Sequence, residues 1–163
     1  MRKSEILSKL EPVCSALVTK LGDNQQKKRD AAVDALLELA SRDNVGPAFV
    51  ANFCMRKLSK KEEQGWRPMN TRLEVLAMLV AEHDLLNHGV TPEQLIDFAA
   101  RYKAHSHANA ALRDNAKQLA VEIFKVIGPK VEEHLGHLRR KQLDEYRAAF
   151  EIAKDEQQMA AEQ

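Results

Sequence analysis

Arg29-Asp30-Ala31-Ala32-Val33-Asp34-Ala35-Leu36-Leu37-Glu38-Leu39-Ala40 decides the fold. Its apolar members Ala32, Ala35, Leu36, Leu39 and Ala40 return every three or four positions, the spacing of one face of an α-helix. The stretch before it does the same. Ile6, Leu7, Leu10, Val13, Cys14, Leu17, Val18 and Leu21 form a stripe closed by Gly22 and the polar turn Asp23-Asn24-Gln25-Gln26. Pro12 falls inside that first stripe, where it is expected to bend or delay the helix. So short a connection makes the two helices an antiparallel hairpin.

The hairpin recurs. Arg113-Asp114-Asn115-Ala116, with Ala120 and Ile123, repeats the same start further along the chain, and Arg72 with Val75, Leu76, Leu79 and Val80 falls between the two, at offsets of 43 and 41 residues. Units of about 42 residues lie in the range of HEAT and armadillo repeats, roughly 40 to 47, and outside the 33 to 34 of ankyrin and TPR repeats. The first helix of each later unit carries its own start signal. Gly46-Pro47 precedes Phe49, Val50, Phe53 and Cys54; Thr91-Pro92-Glu93-Gln94 precedes Phe98, Ala99 and Tyr102; Gly128-Pro129 precedes Val131, Leu135 and Leu138. Proline suits the first turn of a helix because its missing N–H has no partner there, and Thr91 with Gln94 fits a capping box.

One helix pair cannot cover its own apolar face, so such pairs must stack. The expected fold is all-α, an α-solenoid of about four HEAT-like antiparallel helix pairs. Its units run over about 1–44, 45–87, 88–127 and 128–154, the final helix starting near Lys141, with 155–163 a frayed tail. Neither end reads as a strongly polar cap, so the expectation is a single domain cut from a larger protein.

The 25 Lys and Arg residues against 24 Asp and Glu leave a formal net charge of +1. No global field then drives attachment to nucleic acid or to a membrane surface, and recognition by charge must be local. No apolar run approaches membrane-spanning length, and the N-terminus has no uninterrupted apolar h-region. Cys14 and Cys54 both sit on apolar stripes, which favours buried, reduced thiols in a reducing compartment over a disulfide.

Phosphate loops, a nucleophile elbow, His-Glu-x-x-His and Cys-x-x-Cys are all absent from the sequence. The expectation is therefore no enzyme, no catalytic residue and no cofactor. His105-Ser106-His107 and His134-Leu135-Gly136-His137 have spacings that can hold a metal, but no carboxylate or thiolate constellation accompanies them. They are read as solvated or capping histidines, with no metal site.

In stacked helix pairs the turns within each pair line up along one edge, so loop composition carries the functional signal. The first turn, 23–28, holds Lys27 and Lys28. The second reads Ser59-Lys60-Lys61-Glu62-Glu63-Gln64-Gly65-Trp66-Arg67-Pro68, the third spans 105–109, and the fourth is Arg139-Arg140-Lys141. Basic groups occupy three of the four, and each has the alternative reading of a solubilising loop residue. Trp66, the single tryptophan, sits beside Arg67 either as a hot-spot contact for a protein partner or folded back as a staple on the next helix. Arg29, Arg72 and Arg113 recur at the repeat position itself and are assigned to bonds within the stack.

The run Asp23-x(5)-Arg29-Asp30-Ala31-Ala32 through Ala40 resembles the HEAT repeats of TOG domains, and the basic loops resemble the tubulin-binding edge of those domains. More narrowly, Gly65-Trp66-Arg67-Pro68 followed by Arg72-Leu73-Glu74-Val75-Leu76, and the stretch from Leu112-Arg113-Asp114 to Ile127, resemble TOG domains of centrosomal and ciliary-tip proteins. The resemblance covers nearly the whole chain. It implies binding of αβ-tubulin or microtubule ends, alongside other centriolar or ciliary proteins, in the cytoplasm and cytoskeleton at the centrosome, centriole and cilium tip. Trp66 and Arg67 then match the second-loop contact, with Lys60 and Lys61 beside them; Lys27 and Lys28 match the first loop, and Arg139, Arg140 and Lys141 a later one. Two departures stand out. Many TOG domains carry a tryptophan in the first loop, which this sequence lacks, and they commonly have six repeats. Two rivals remain: a general HEAT scaffold holding a peptide or adaptor on its helix faces, and a HEAT-like DNA-repair glycosylase, which near-neutral charge disfavours.

Overall fold

The computed structural model describes residues 2–163, which among themselves contain helices and turns and no strand. The chain divides into two compact units, Met1–Thr91 and Pro92–Gln163.

The first unit holds α1 (Lys3–Lys20), α2 (Gln26–Ala40), α3 (Pro47–Cys54), α4 (Lys60–Gln64) and α5 (Arg67–Glu82), then a 3₁₀ turn, Leu85–His88. α1 runs through Pro12 without a delayed start, because the proline lies on the exposed face where the lost hydrogen bond is open to water. α2 packs on α1, α3 and α5. Cys14, Val18, Leu36, Val50, Cys54, Leu73, Leu76 and Leu79 are fully enclosed in this core. Each such aliphatic side chain contributes about 1.5–3 kcal/mol through removal from water. The two cysteines are free thiols; burial raises both, Cys54 to about 12, so neither ionises near neutrality.

The second unit holds α6 (Pro92–Arg101), a 3₁₀ turn (Ala104–Ser106), α7 (Ala110–Ile127), a 3₁₀ helix (Gly128–His134) and α8 (Arg140–Ala161). α7 is its central element, packing against all four others. Phe124 of α7 stacks on Phe150 of α8 with ring centroids 4.7 Å apart and planes 7° off parallel.

Two local expectations change. Gly128-Pro129 opens a 3₁₀ helix, not an α-helix: Gly128, at φ 70, ends α7, and residues 128–139 leave too little chain for a full helix before α8. Val131 and Leu135 are still buried. α8 continues to Ala161, with every residue after Ala153 exposed.

The recurring arginines have one job in each unit, to bind the backbone of the turn within their pair. Arg29 Nη1 donates to Asp23 O at 2.6 Å, and Arg113 Nη1 to His107 O at 2.6 Å and Ala108 O at 2.9 Å. Arg72 faces a longer connection and donates to Arg56 O at 2.7 Å and Cys54 O at 3.2 Å.

Candidate functional site

Ser59-x-x-Glu62 builds the second connection of the first unit. Glu62 N–H donates to Ser59 Oγ at 3.1 Å while Ser59 N–H donates to Glu62 Oε1 at 3.0 Å, a capping box that folds residues 60–64 into α4. Lys60 and Lys61 therefore stand on the first turn of a short helix, where the sequence reading placed an irregular loop. The remaining carboxylate oxygen of Glu62 accepts from Arg72 Nη2 at 2.9 Å. Burial works against ionisation of Glu62, but the Ser59 N–H and the Arg72 guanidinium outweigh it and hold the carboxyl below its ordinary range.

The first turn comes close to this connection at Gly22. A Cβ on Gly22 would lie 2.7 Å from Pro68 Cγ, so only glycine lets the start of α5 sit against the turn. Arg56 adds a second tie, donating to the hydroxyl and carbonyl of Ser15 and to Thr19 Oγ1 on α1. Between turn and connection lies an open groove of about 900 Å³, lined by Gly22, Asp23 and Asn24 on one side and by Arg56 through Lys61, Trp66 and Arg67 on the other.

Trp66 combines the two roles offered for it. It is half-buried and precedes α5, its carbonyl accepting from Asn70 N–H at 3.0 Å, yet its ring lines the groove. The Arg67 guanidinium sits 4.9 Å from the ring centroid, a cation–π contact of about 0.5–1 kcal/mol at a partly exposed site. Lys57, Lys60 and Lys61 are exposed around them. Asp23 and Glu63 temper the charge, and Asp23 lies below the usual carboxylate range because it accepts the Gln25 N–H. Lys27 and Lys28 are exposed on the first turn of α2, outside the groove lining.

In the second unit Arg139 precedes α8 and its N–H donates to Gln142 Oε1 at 2.9 Å, with Arg140 and Lys141 exposed on the following turn. Gln142 Nε2 reaches His105 O at 3.4 Å and so joins the third and fourth connections. The two histidine motifs meet across these connections: His105 and His137 pack edge to face, centroids 4.7 Å apart. Burial, followed for His105 by the charges of His137, Arg139 and Lys103, holds both imidazoles below their ordinary range. Among the described residues no three His, Cys, Asp or Glu side chains converge as metal ligands.

The groove thus unites Lys60, Lys61, Trp66 and Arg67 and leaves Lys27 and Lys28 beside it, while Arg139, Arg140 and Lys141 belong to the other unit. Sequence reasoning missed Arg56 and Lys57. The capping-box signature at Ser59 was the available signal, since it marks a helix start and makes the basic pair before it the groove wall.

A family model described as XMAP215/Dis1/CLASP, TOG domain, matches residues 1–150. No curated protein and no solved structure matches the chain.

Proposed function

We propose a function on the premise that this chain belongs to the XMAP215/Dis1/CLASP TOG domain family, which covers residues 1–150: it is a tubulin-binding domain of a microtubule-end protein, and it holds its partner without chemistry. The observation that carries this reading is Trp66 under the Arg67 guanidinium, at the edge of a groove walled by Lys57, Lys60 and Lys61. A half-buried aromatic beside an arginine supplies contact area at little entropic cost, and the lysines suit an acidic protein surface. In the second unit Arg139, Arg140 and Lys141 supply a further basic contact.

The order of Gly65-Trp66-Arg67-Pro68, Arg72-Leu73-Glu74-Val75-Leu76 and Leu112 through Ile127 resembles the TOG domain of the centrosomal protein of 104 kDa. On that likeness we place the activity in the cytoplasm at centrosomes, centrioles and cilium tips, on αβ-tubulin or microtubule ends and in company with centriolar or ciliary proteins.

Gel filtration with αβ-tubulin at low and moderate salt tests the reading. Co-elution is expected for the wild type and lost in Trp66→Ala combined with Arg67→Glu, with circular dichroism confirming an intact helical fold. Co-elution unchanged by that pair overturns it. A second reading, a HEAT scaffold holding a peptide or adaptor on its helix faces, draws on Ile152 and Met159, 61% and 64% exposed on α8. Under it, substitutions at those two positions abolish binding and loop substitutions do not.

A further inference from the structure

Ser59 stands in the groove wall with basic side chains on both sides in sequence: Arg56-Lys57-Leu58 before it, Lys60-Lys61 after it. Ser59, Lys57, Lys60 and Lys61 are all exposed. The backbone at Ser59 is extended, at φ −68 and ψ 162, and residues 57–59 belong to no helix. α4 beyond it has five residues and buries none of them, so it unwinds at little cost. A protein kinase grips a short extended segment, and one with an acidic substrate cleft selects serines flanked by lysine and arginine. Ser59 offers that segment on the folded protein.

We propose that Ser59 is a phosphorylation site for a basic-directed Ser/Thr kinase, and that its phosphate closes the groove to an acidic partner. The second half rests on the tubulin-binding reading above. In the transfer, Ser59 Oγ attacks the γ-phosphorus of Mg-ATP, the new O–P bond forms as the bond to ADP breaks, and the hydroxyl proton passes to the kinase's base.

The fold tolerates the product. Ser59 Oγ accepts the Glu62 N–H at present, and a phosphate oxygen is a stronger acceptor for the same group at a helix start. Glu62 stays where it is because Arg72 holds its other oxygen at 2.9 Å. The phosphate brings a charge of about −1.5 to −2 into the midst of Lys57, Lys60 and Lys61. Those lysines then pair with it, and the groove loses the positive field that an acidic surface needs.

The experiment treats the folded chain with Mg-ATP and the catalytic domain of a basic-directed Ser/Thr kinase, maps the phosphate by mass spectrometry, and titrates the product with polyglutamate and with αβ-tubulin. Trp66 is the only tryptophan, so its fluorescence reports on this groove. Near-stoichiometric phosphate on Ser59 is expected, absent in Ser59→Ala and reduced about tenfold in Lys57→Ala/Lys60→Ala/Lys61→Ala. The phosphorylated protein is expected to bind polyglutamate and tubulin about tenfold more weakly, with its thermal midpoint kept. Phosphate on other residues, incorporation only after heating, or unchanged binding of both probes overturns the inference. Should unmodified protein fail to bind tubulin while phosphorylation still abolishes the polyglutamate response, the tubulin reading falls and the switch stands.

Discussion

Arg72 has no exposed surface, and its guanidinium joins the Glu62 carboxylate at 2.9 Å to two backbone carbonyls, those of Cys54 and Arg56. One side chain thereby fixes the end of α3, the approach to Ser59 and the position of α4, which is the whole wall of the groove. Removing one partner of a buried pair strands the other, at a cost of about 3–5 kcal/mol. Arg72→Met is expected to lower the thermal midpoint by about 10 °C. Glu62→Gln keeps the carbonyl bonds and is expected to cost less than half as much. Thermal and urea denaturation of the two variants check the order; equal losses would mean that Glu62, not the carbonyls, is what Arg72 serves.

Gly22→Ala makes a separate demand on the same wall. Gly22 does not have a positive φ, so the methyl group's effect is steric: its 2.7 Å approach to Pro68 Cγ forces apart the first turn and the start of α5. A loss of about 1–3 kcal/mol is expected. Because Pro68 follows Trp66 and Arg67 at once, the tryptophan emission should shift as well. A destabilised variant with native emission would show that the groove does not depend on this contact.

The fold was legible where the sequence repeats itself and less so where it does not. Arg29, Arg72 and Arg113 were assigned to the stack because they recur, and all three bind turn carbonyls. Apolar periodicity located α2, α5 and α7 for the same reason. α4 was missed because its residues Lys60 to Gln64 bury nothing and so carry no apolar signal; its one mark is the Ser59-x-x-Glu62 box. Gly128-Pro129 has the same local signature as Gly46-Pro47, yet one opens a 3₁₀ helix and the other an α-helix, since chain length up to the next helix decides and the dipeptide does not. Of the candidate contacts, composition found the lysines, but only the approach of Gly22 to Pro68 separates those in the groove from Lys27 and Lys28.

The histidine pair of the second unit makes stability pH-dependent. His105 and His137 have folded values below the unfolded one, mainly through burial. The folded state therefore binds fewer protons than the unfolded state, and their contribution is present above the unfolded value, about 6.5. It is lost as pH falls from there through the folded values, when protonation sets two imidazolium ions edge to face beside Arg139 and Lys103 with Asp97 the nearby counter-charge to His137. Urea midpoints at pH 7.5 and pH 5.5 should fall with acidification in the wild type and much less in His105→Asn/His137→Asn. An equal fall in both proteins would assign the acid sensitivity to the carboxylates instead.

Groove lysines and α2 lysines should part company in binding. Lys57→Glu/Lys60→Glu reverses charge on the wall that carries Trp66, where a partner seated on the tryptophan cannot avoid it. Lys27→Glu/Lys28→Glu reverses the same amount of charge on exposed positions outside the lining. Exposed charges act across about 10 Å at 0.1 M salt, so distance from the seated partner decides the size of each effect. At low salt the first pair should weaken tubulin binding about tenfold and the second about two- to threefold, the gap narrowing as salt rises. Fluorescence anisotropy with labelled tubulin at two ionic strengths measures both. If the α2 pair proves the more damaging, the partner is seated on the first turn and Trp66 is a staple whose ring merely borders the groove.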